Sequence, residues 1–356
     1  MANDTKPVRV GVAGLGFMGA THIAAYQAAA KAGFPCRLVA VADRKASRRK
    51  GELWDVGGNA VSDVSAQQLA FDPKEVRGHE TADALIADPN VDLISICTRT
   101  DTHVDLAIKA MNAGKHVLVE KPVALKPEDV RKVVETSKST GKLAMPAMCM
   151  RFWPAWKWLK ERIDDRAFGA CHSATFQRLA SQPNWSPFYS DGKRSGGALV
   201  DLHIHDADFV RWCFGAPRSV TSAGRVGPTG AVDHVTTLYH YEKGPAHVVA
   251  EGGWDQAVGF AFRMRYVVVF DKATADFDLT RDPQLLLCQN GQSHPVELDA
   301  ISGYDGEIRH LVSAIASGKT NLLATMEDAV RVTELLNAEE RSALSPRGGA
   351  TSVALS

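Results

Sequence analysis

A chain of 356 residues exceeds what one hydrophobic core normally serves, so two domains are expected, and a 45% hydrophobic content is ample for both. Lys plus Arg equals Asp plus Glu at 41 each, which offers neither a nucleic-acid surface nor a polybasic membrane anchor, and no apolar run approaches the roughly 20 residues that span a bilayer. Six scattered cysteines (Cys36, Cys97, Cys149, Cys171, Cys213, Cys288) without a C-x-x-C pair read as buried, reduced thiols, and MANDTKPVRV runs into the first strand without a secretory leader, so a soluble cytoplasmic protein is expected.

The chain begins as a dinucleotide fold begins. Val8, Val10, Val12 and Ala13 form a short buried strand, and Gly14, Gly16 and Gly19 then give G-x-G-x-x-G at the turn into a helix from Phe17 to Lys31. Gly14 permits the tight turn, Gly16 lets backbone approach a pyrophosphate, and Gly19 lets the helix pack on the strand. The helix N-terminus would hold the phosphate charge. A second strand, Arg37 to Ala42, ends in Asp43, a carboxylate placed to accept both hydroxyls of an adenine ribose. That favours NAD, while the basic cluster Arg44, Lys45, Arg48, Arg49 and Lys50 leaves NADP open, since a guanidinium can grip a 2′-phosphate.

Further on, Lys45 to Trp54 reads as helical, residues 57–78 as a surface excursion, and Thr81 to Ala87 as a helix. Strands at Val91–Cys97, His116–Val119 and Lys142–Met148 alternate with helices at Thr102–Ala113 and Pro127–Thr140. This alternation predicts right-handed βαβ units in a doubly wound parallel sheet, a Rossmann domain over residues 1–150. Ligands lie beyond the carboxyl ends of such strands, which singles out Thr98, Arg99 and His103, then Glu120, Lys121 and Pro122, then Arg151. A lysine held by a proline at a strand end is a fixed cationic donor.

Beyond Arg151 the grammar changes to an α+β domain, residues 151–356. An aromatic helix (FWPAWKWLKERI), a strand from Cys171 to Leu179 and a helix from Ala198 to Phe214 are followed by consecutive strands near 219–226, 235–241, 247–253, 262–270, 275–278 and 285–288. Their turns imply an open, largely antiparallel sheet, and their alternating apolar positions imply burial against a second copy, in a homodimer or homotetramer. Helices at Gly303–Ser317 and Met326–Ser342 close the chain, and the tail SPRGGATSVALS reads as loosely ordered.

Within GGALVDLHIHDADFVRWCFG, Asp201 and His205 are four residues apart and would share one helix face, the carboxylate fixing the imidazole tautomer for general-base work. His203 falls on the opposite, apolar side with Ala207, Val210 and Phe214 and reads as a packed structural histidine. An H-x-H metal site at His203 and His205 with Asp206 lacks convincing further ligands, so no metal is expected. Trp185, Phe188, Tyr189 and Tyr304 could form a sugar-stacking wall or merely pack locally.

The stretches V-A-G-L-G-F-M-G-x-x-H (Val12 to His22), V-D-L-I-S-I-C-T (Val91 to Thr98), A-G-K-H-V-L-V-E-K-P (Ala113 to Pro122) and G-G-A-L-V-D-L-H-I-H-D (Gly196 to Asp206) resemble the Gfo/Idh/MocA oxidoreductase family over nearly the whole chain. The resemblance implies a Rossmann domain joined to an α/β domain whose open sheet often serves oligomerisation, and action on sugars, inositols and related polyols. By motif, Lys121 would be the active-site lysine, Asp201 the motif aspartate and His205 the catalytic histidine. Gly14, Gly16, Phe17, Met18, Gly19 and Asp43 would be cofactor contacts, joined as candidates by Arg44, Thr98, Arg99, His103, Glu120, Lys121 and Arg151. Arg99 and His203 depart from the family's usual proline and glycine. The implied reaction is oxidation of a secondary alcohol in a cleft between the domains. The alternatives are an enzyme that recycles bound NAD during elimination or glycoside cleavage, and a non-catalytic dinucleotide sensor.

Overall fold

The structure, a computed structural model, describes residues 6–53, 55–57, 69–345 and 351–352. The chain divides into two compact units, Met1–Phe152 with Ser302–Val330, and Trp153–Ile301 with Arg331–Ser356.

In the first unit, β1 (Val8–Ala13) is a run of β-branched and small residues buried almost throughout, as befits a central parallel strand. It feeds α1 (Phe17–Lys31), which returns to β2 (Cys36–Ala42). The expected helix from Lys45 shrinks to a single turn, α2 (Ala46–Arg49), because Gly51 at φ +87° turns the chain away; Trp54 lies outside the described residues. Residues 58–68 of the expected excursion are also outside them, but its end forms a short edge strand, β3 (Arg77–His79), which periodicity did not reveal because three residues carry no pattern. Then come α3 (Ala82–Ile86), capped by the Thr81 hydroxyl, β4 (Leu93–Ile96), α4 (His103–Asn112), β5 (His116–Val119), α5 (Pro127–Thr140) and β6 (Ala144–Pro146). The parallel sheet has the order β3-β2-β1-β4-β5-β6, the doubly wound arrangement with its switch point between β1 and β4.

The second unit opens with α6 (Pro154–Asp164), β7 (Cys171–Ser181), α7 (Gly192–Ser195), α8 (Gly197–Asp201) and α9 (Ile204–Phe214). The expected continuous helix from Ala198 to Phe214 is therefore broken. The N–H of His203 reaches back five residues to the Ala198 carbonyl, and helical bonding restarts from the His203 carbonyl, which accepts from Asp206 and Ala207. The break accompanies full burial of the His203 ring. Next are β8 (Ser219–Val226), β9 (Val232–His240), β10 (His247–Gln256), β11 (Arg263–Phe270), β12 (Thr274–Asp278), β13 (Leu285–Gln289) and β14 (Gln292–Pro295).

After β14, α10 (Gly303–Ser317) starts at a capping box of Ser302 and Asp305 and packs within the first unit, its Arg309 guanidinium 5.3 Å from the Phe34 ring centre. Helix α11 (Met326–Ala343) begins in the first unit and continues in the second, and β15 (Thr351–Ser352) lies on the edge of the large sheet; the rest of the expected loose tail, 346–350 and 353–356, is outside the described residues. That nine-stranded sheet runs β14-β13-β12-β11-β7-β10-β9-β8-β15 and, among the described residues, is antiparallel except where β7 meets β10. Its core face packs Trp156 of α6 edge-on against Tyr266 and Phe277, at 5.0 and 4.6 Å between ring centres. The other face mixes Thr175, Val249, Val267 and Leu238 with Gln177 and Glu251. The cysteines are free thiols, but only Cys36, Cys97 and Cys149 are buried; Cys171 and Cys213 are half-buried, and Cys288 is exposed on the peripheral strand β13.

Candidate active site

The turn between β1 and α1 has the shape a dinucleotide phosphate requires. Gly14 sits at φ +88°, where a Cβ would lie 2.6 Å from the Cys97 carbonyl oxygen, and a Cβ on Gly19 would lie 1.9 Å from the Gly14 oxygen. A Cβ on Gly16 would instead meet nothing within 4 Å, so the backbone there is open to an incoming group. No side chain caps the first turn of α1, whose half-buried Phe17 and Met18 carry N–H groups at the positive end of the helix dipole. Asp43, at the tip of β2, accepts the Leu15 N–H on Oδ2 at 2.9 Å and the Lys45 N–H on Oδ1 at 2.8 Å. One carboxylate thus ties the glycine turn to the neighbouring strand end. Arg44 beside it is exposed. These features fit NAD: Gly14 to Gly19 would hold the pyrophosphate and Asp43 the adenine ribose.

At the ends of β4 and β5, His103 is buried with Nδ1 2.9 Å from the Pro122 carbonyl oxygen and Nε2 3.0 Å from that of Thr98. Burial lowers its pKa despite these two carbonyls, and a neutral ring donates to only one of them at a time. His103 therefore sits between the two strand ends and bonds to one of them at a time. Half-buried Thr98 accepts the Thr102 hydroxyl, and Arg99 is exposed with its Nε 3.6 Å from Asp101.

Glu120 is buried between two donors. His22 Nε2 lies 2.9 Å from its Oε1, and its Oε2 accepts the Lys121 N–H at 3.0 Å. With the proton on Nε2, His22 Nδ1 accepts from Ser95 Oγ at 3.2 Å, and Ser95 in turn accepts from the Tyr26 hydroxyl at 2.8 Å. A second acid, Glu307 of α10, is fully buried 3.8 Å from His22 Nε2, with no hydrogen-bond partner for either oxygen among the described residues. Burial first, and the charge of Glu120 second, push its pKa well up and so favour the neutral carboxyl. His22, Ser95 and Glu307 had no functional reading from sequence; a glutamate on the buried stripe of α10, between Gly303, Ile308 and Leu311, was the available signal.

Arg151, a cofactor candidate by strand-end position, is 3% exposed, and its Nη1 donates to the Leu323 carbonyl and to Asp328 Oδ2, both at 2.9 Å. Its charge serves packing inside the first unit. Lys121 itself is half-buried, immediately beyond β5.

In the second unit Asp201 is the last residue of α8 and His205 lies in the first turn of α9, both half-buried, so they sit on two helices and not along one face of a single helix. His203 is fully buried, its Nε2 2.9 Å from Glu339 and 3.3 Å from the Tyr239 hydroxyl. Burial by itself lowers the His203 pKa, but the charge and hydrogen bond of Glu339 prevail and raise it. Asp206 binds Arg178 through both oxygens, at 2.8 and 3.1 Å, which commits it to that pair. Trp185 and Phe188 both pack edge-on to Tyr189, and Tyr189 packs on Trp254, whereas Tyr304 belongs to α10 in the first unit, so the four aromatics do not form a single wall within one unit.

A doubly wound sheet with a phosphate-binding glycine turn and an acidic tip on its second strand defines a dinucleotide-dependent oxidoreductase fold. Residues 8–148 match the family model described as oxidoreductase family, NAD-binding Rossmann fold, and residues 156–276 match the model of the GFO/IDH/MocA C-terminal domain. The chain belongs to the Gfo/Idh/MocA family. Among its relatives, inositol 2-dehydrogenase of Rhizobium meliloti is 30% identical over 70% of this chain and 72% of its own length. Myo-inositol 2-dehydrogenase of Thermotoga maritima is 32% identical over 56% of this chain, a match spanning 63% of the relative. A solved levoglucosan dehydrogenase, in complex with NADH and levoglucosan, shares the fold at a TM-score of 0.81 and 21% identity, over 98% of this chain and all of that one.

Proposed function

We propose that the chain oxidises a secondary alcohol of an inositol, sugar or related polyol, with Lys121, Asp201 and His205 as its reacting side chains. The observation that carries this reading is the fixed Lys121 at the carboxyl end of β5, its peptide N–H held by Glu120, in the same unit as the glycine turn. NAD, when bound, supplies the hydride acceptor. Lys121 holds the carbinol oxygen and shares the proton, His205 takes the hydroxyl proton, and Asp201 orients the imidazole or grips a neighbouring hydroxyl. The inositol dehydrogenases among the relatives support net oxidation over recycling of the cofactor and over a sensor without catalysis. No helix of the described residues is long and apolar enough to cross a membrane, which accords with a cytoplasmic enzyme, and the strand face bearing Val249, Val267 and Leu238 suits a homodimer or homotetramer. Incubating the protein with NAD and a panel of inositols, aldoses and sugar acids tests the reading: formation of NADH with at least one of them is expected, and none with any member would overturn it.

A further inference from the structure

The basic cluster after β2 poses a question of cofactor choice that the side chains answer. Arg48 is 16% exposed, and its Nη1 lies 4.0 Å from Asp43 Oδ2, beside the position where an adenine ribose is read. A guanidinium there is placed to receive a 2′-phosphate. Yet its Nε and Nη2 donate to Asp55 Oδ1 and Oδ2, at 3.1 and 3.0 Å, and Lys45 Nζ sits 2.7 Å from the same carboxylate. Arg49 is spent elsewhere, donating to the Asp43 and Arg44 carbonyls and to Glu80. Arg44 and Lys50 are exposed.

We propose that Asp55 sets the preference of this chain for NAD over NADP by neutralising Lys45 and Arg48, the two cations of the cluster that close on its carboxylate. The inference rests on the reading of the glycine turn as a dinucleotide site. With Asp55 charged, Lys45 and Arg48 face two carboxylates, and these four side chains together carry no net charge. A 2′-phosphate, close to dianionic at neutral pH, would have to displace Asp55 from the Nε and Nη2 edge of Arg48 while standing beside Asp43. Arg48 first and Lys45 second hold the Asp55 carboxyl down to about 2, so the clamp stays charged at any working pH. A ribose with free hydroxyls meets no such obstacle.

Calorimetric titration of NADH and NADPH into the native protein, Asp55→Asn and Asp55→Asn with Arg48→Gln tests this. Asparagine keeps the shape and one acceptor of Asp55 and removes its charge. The ratio of the two Kd values should move toward NADPH by roughly threefold or more in Asp55→Asn, the scale of an exposed charge pair, and Arg48→Gln should cancel the shift. A smaller shift, or one that survives Arg48→Gln, overturns the role of Asp55. A native protein that binds neither dinucleotide overturns instead the cofactor reading on which that role stands.

Discussion

His22 Nε2 meets one oxygen of Glu120 at 2.9 Å while the other oxygen accepts the N–H of Lys121, so a histidine anchored in α1 sets the backbone of the lysine beyond β5. His22→Ala would leave a buried carboxylate oxygen without its donor, a cost of about 1 to 3 kcal/mol. Because the damage is at the Lys121 peptide and not at the phosphate turn, kcat should fall while the Kd for NADH stays close to native. Thermal melts together with an NADH titration check this; equal loss of NADH affinity and turnover would show that His22 supports the whole unit and not Lys121.

Glu307 faces His22 and Tyr26 of α1, Cys97 beyond β4 and Glu120 beyond β5. Its folded pKa lies above the unfolded value, so the stability attached to its neutral form is complete below about pH 4.3 and is lost as pH rises toward the folded pKa. Glu307→Gln keeps the neutral shape and removes that loss. The variant should gain about 2 to 4 °C in Tm over the native protein near pH 8 and less near pH 5. A Tm lowered equally at both pH values would mean that the carboxyl is ionised in the folded protein.

His203 is enclosed by Glu339 of α11, Tyr239 of β9, Asp206 of α9 and Arg178 of β7. His203→Asn removes the buried imidazole that faces Glu339 and should cost about 3 kcal/mol. Since the folded pKa is raised, the stability from the pair is complete below about pH 6.5 and fades as pH rises through the folded value, so the penalty should shrink in alkaline buffer. Melts of native and variant protein across pH measure it. Lost turnover with an unchanged melt would move His203 from the core into the chemistry.

The parallel sheet was legible because its strands and helices carry unbroken periodicity: β1, α1, β5, α5 and α10 begin and end where the pattern does. What escaped depends on contacts distant in sequence. The break at His203 falls where its buried ring meets a glutamate more than a hundred residues later, and local helical spacing cannot register that contact. Arg151, a strand-end candidate by position, has a tie to Asp328 of α11 that its local sequence does not show. The basic cluster likewise could not be weighed before Asp55, ten residues beyond Lys45, was seen to close on it. The glycine turn needed no such help, since its constraints at Gly14 and Gly19 are local.

Lys121 and His205 are proposed to carry out proton work on an alcohol while contributing little to the hold on the cofactor. Steady-state turnover with NAD and a polyol that the native enzyme accepts, set beside NADH titrations, should be measured for Lys121→Met and His205→Asn. The account predicts turnover lowered by about 10² to 10⁴ in each, with the Kd for NADH within about threefold of native. Native-like turnover in either variant, or a loss of NADH binding as large as the loss of rate, would contradict it.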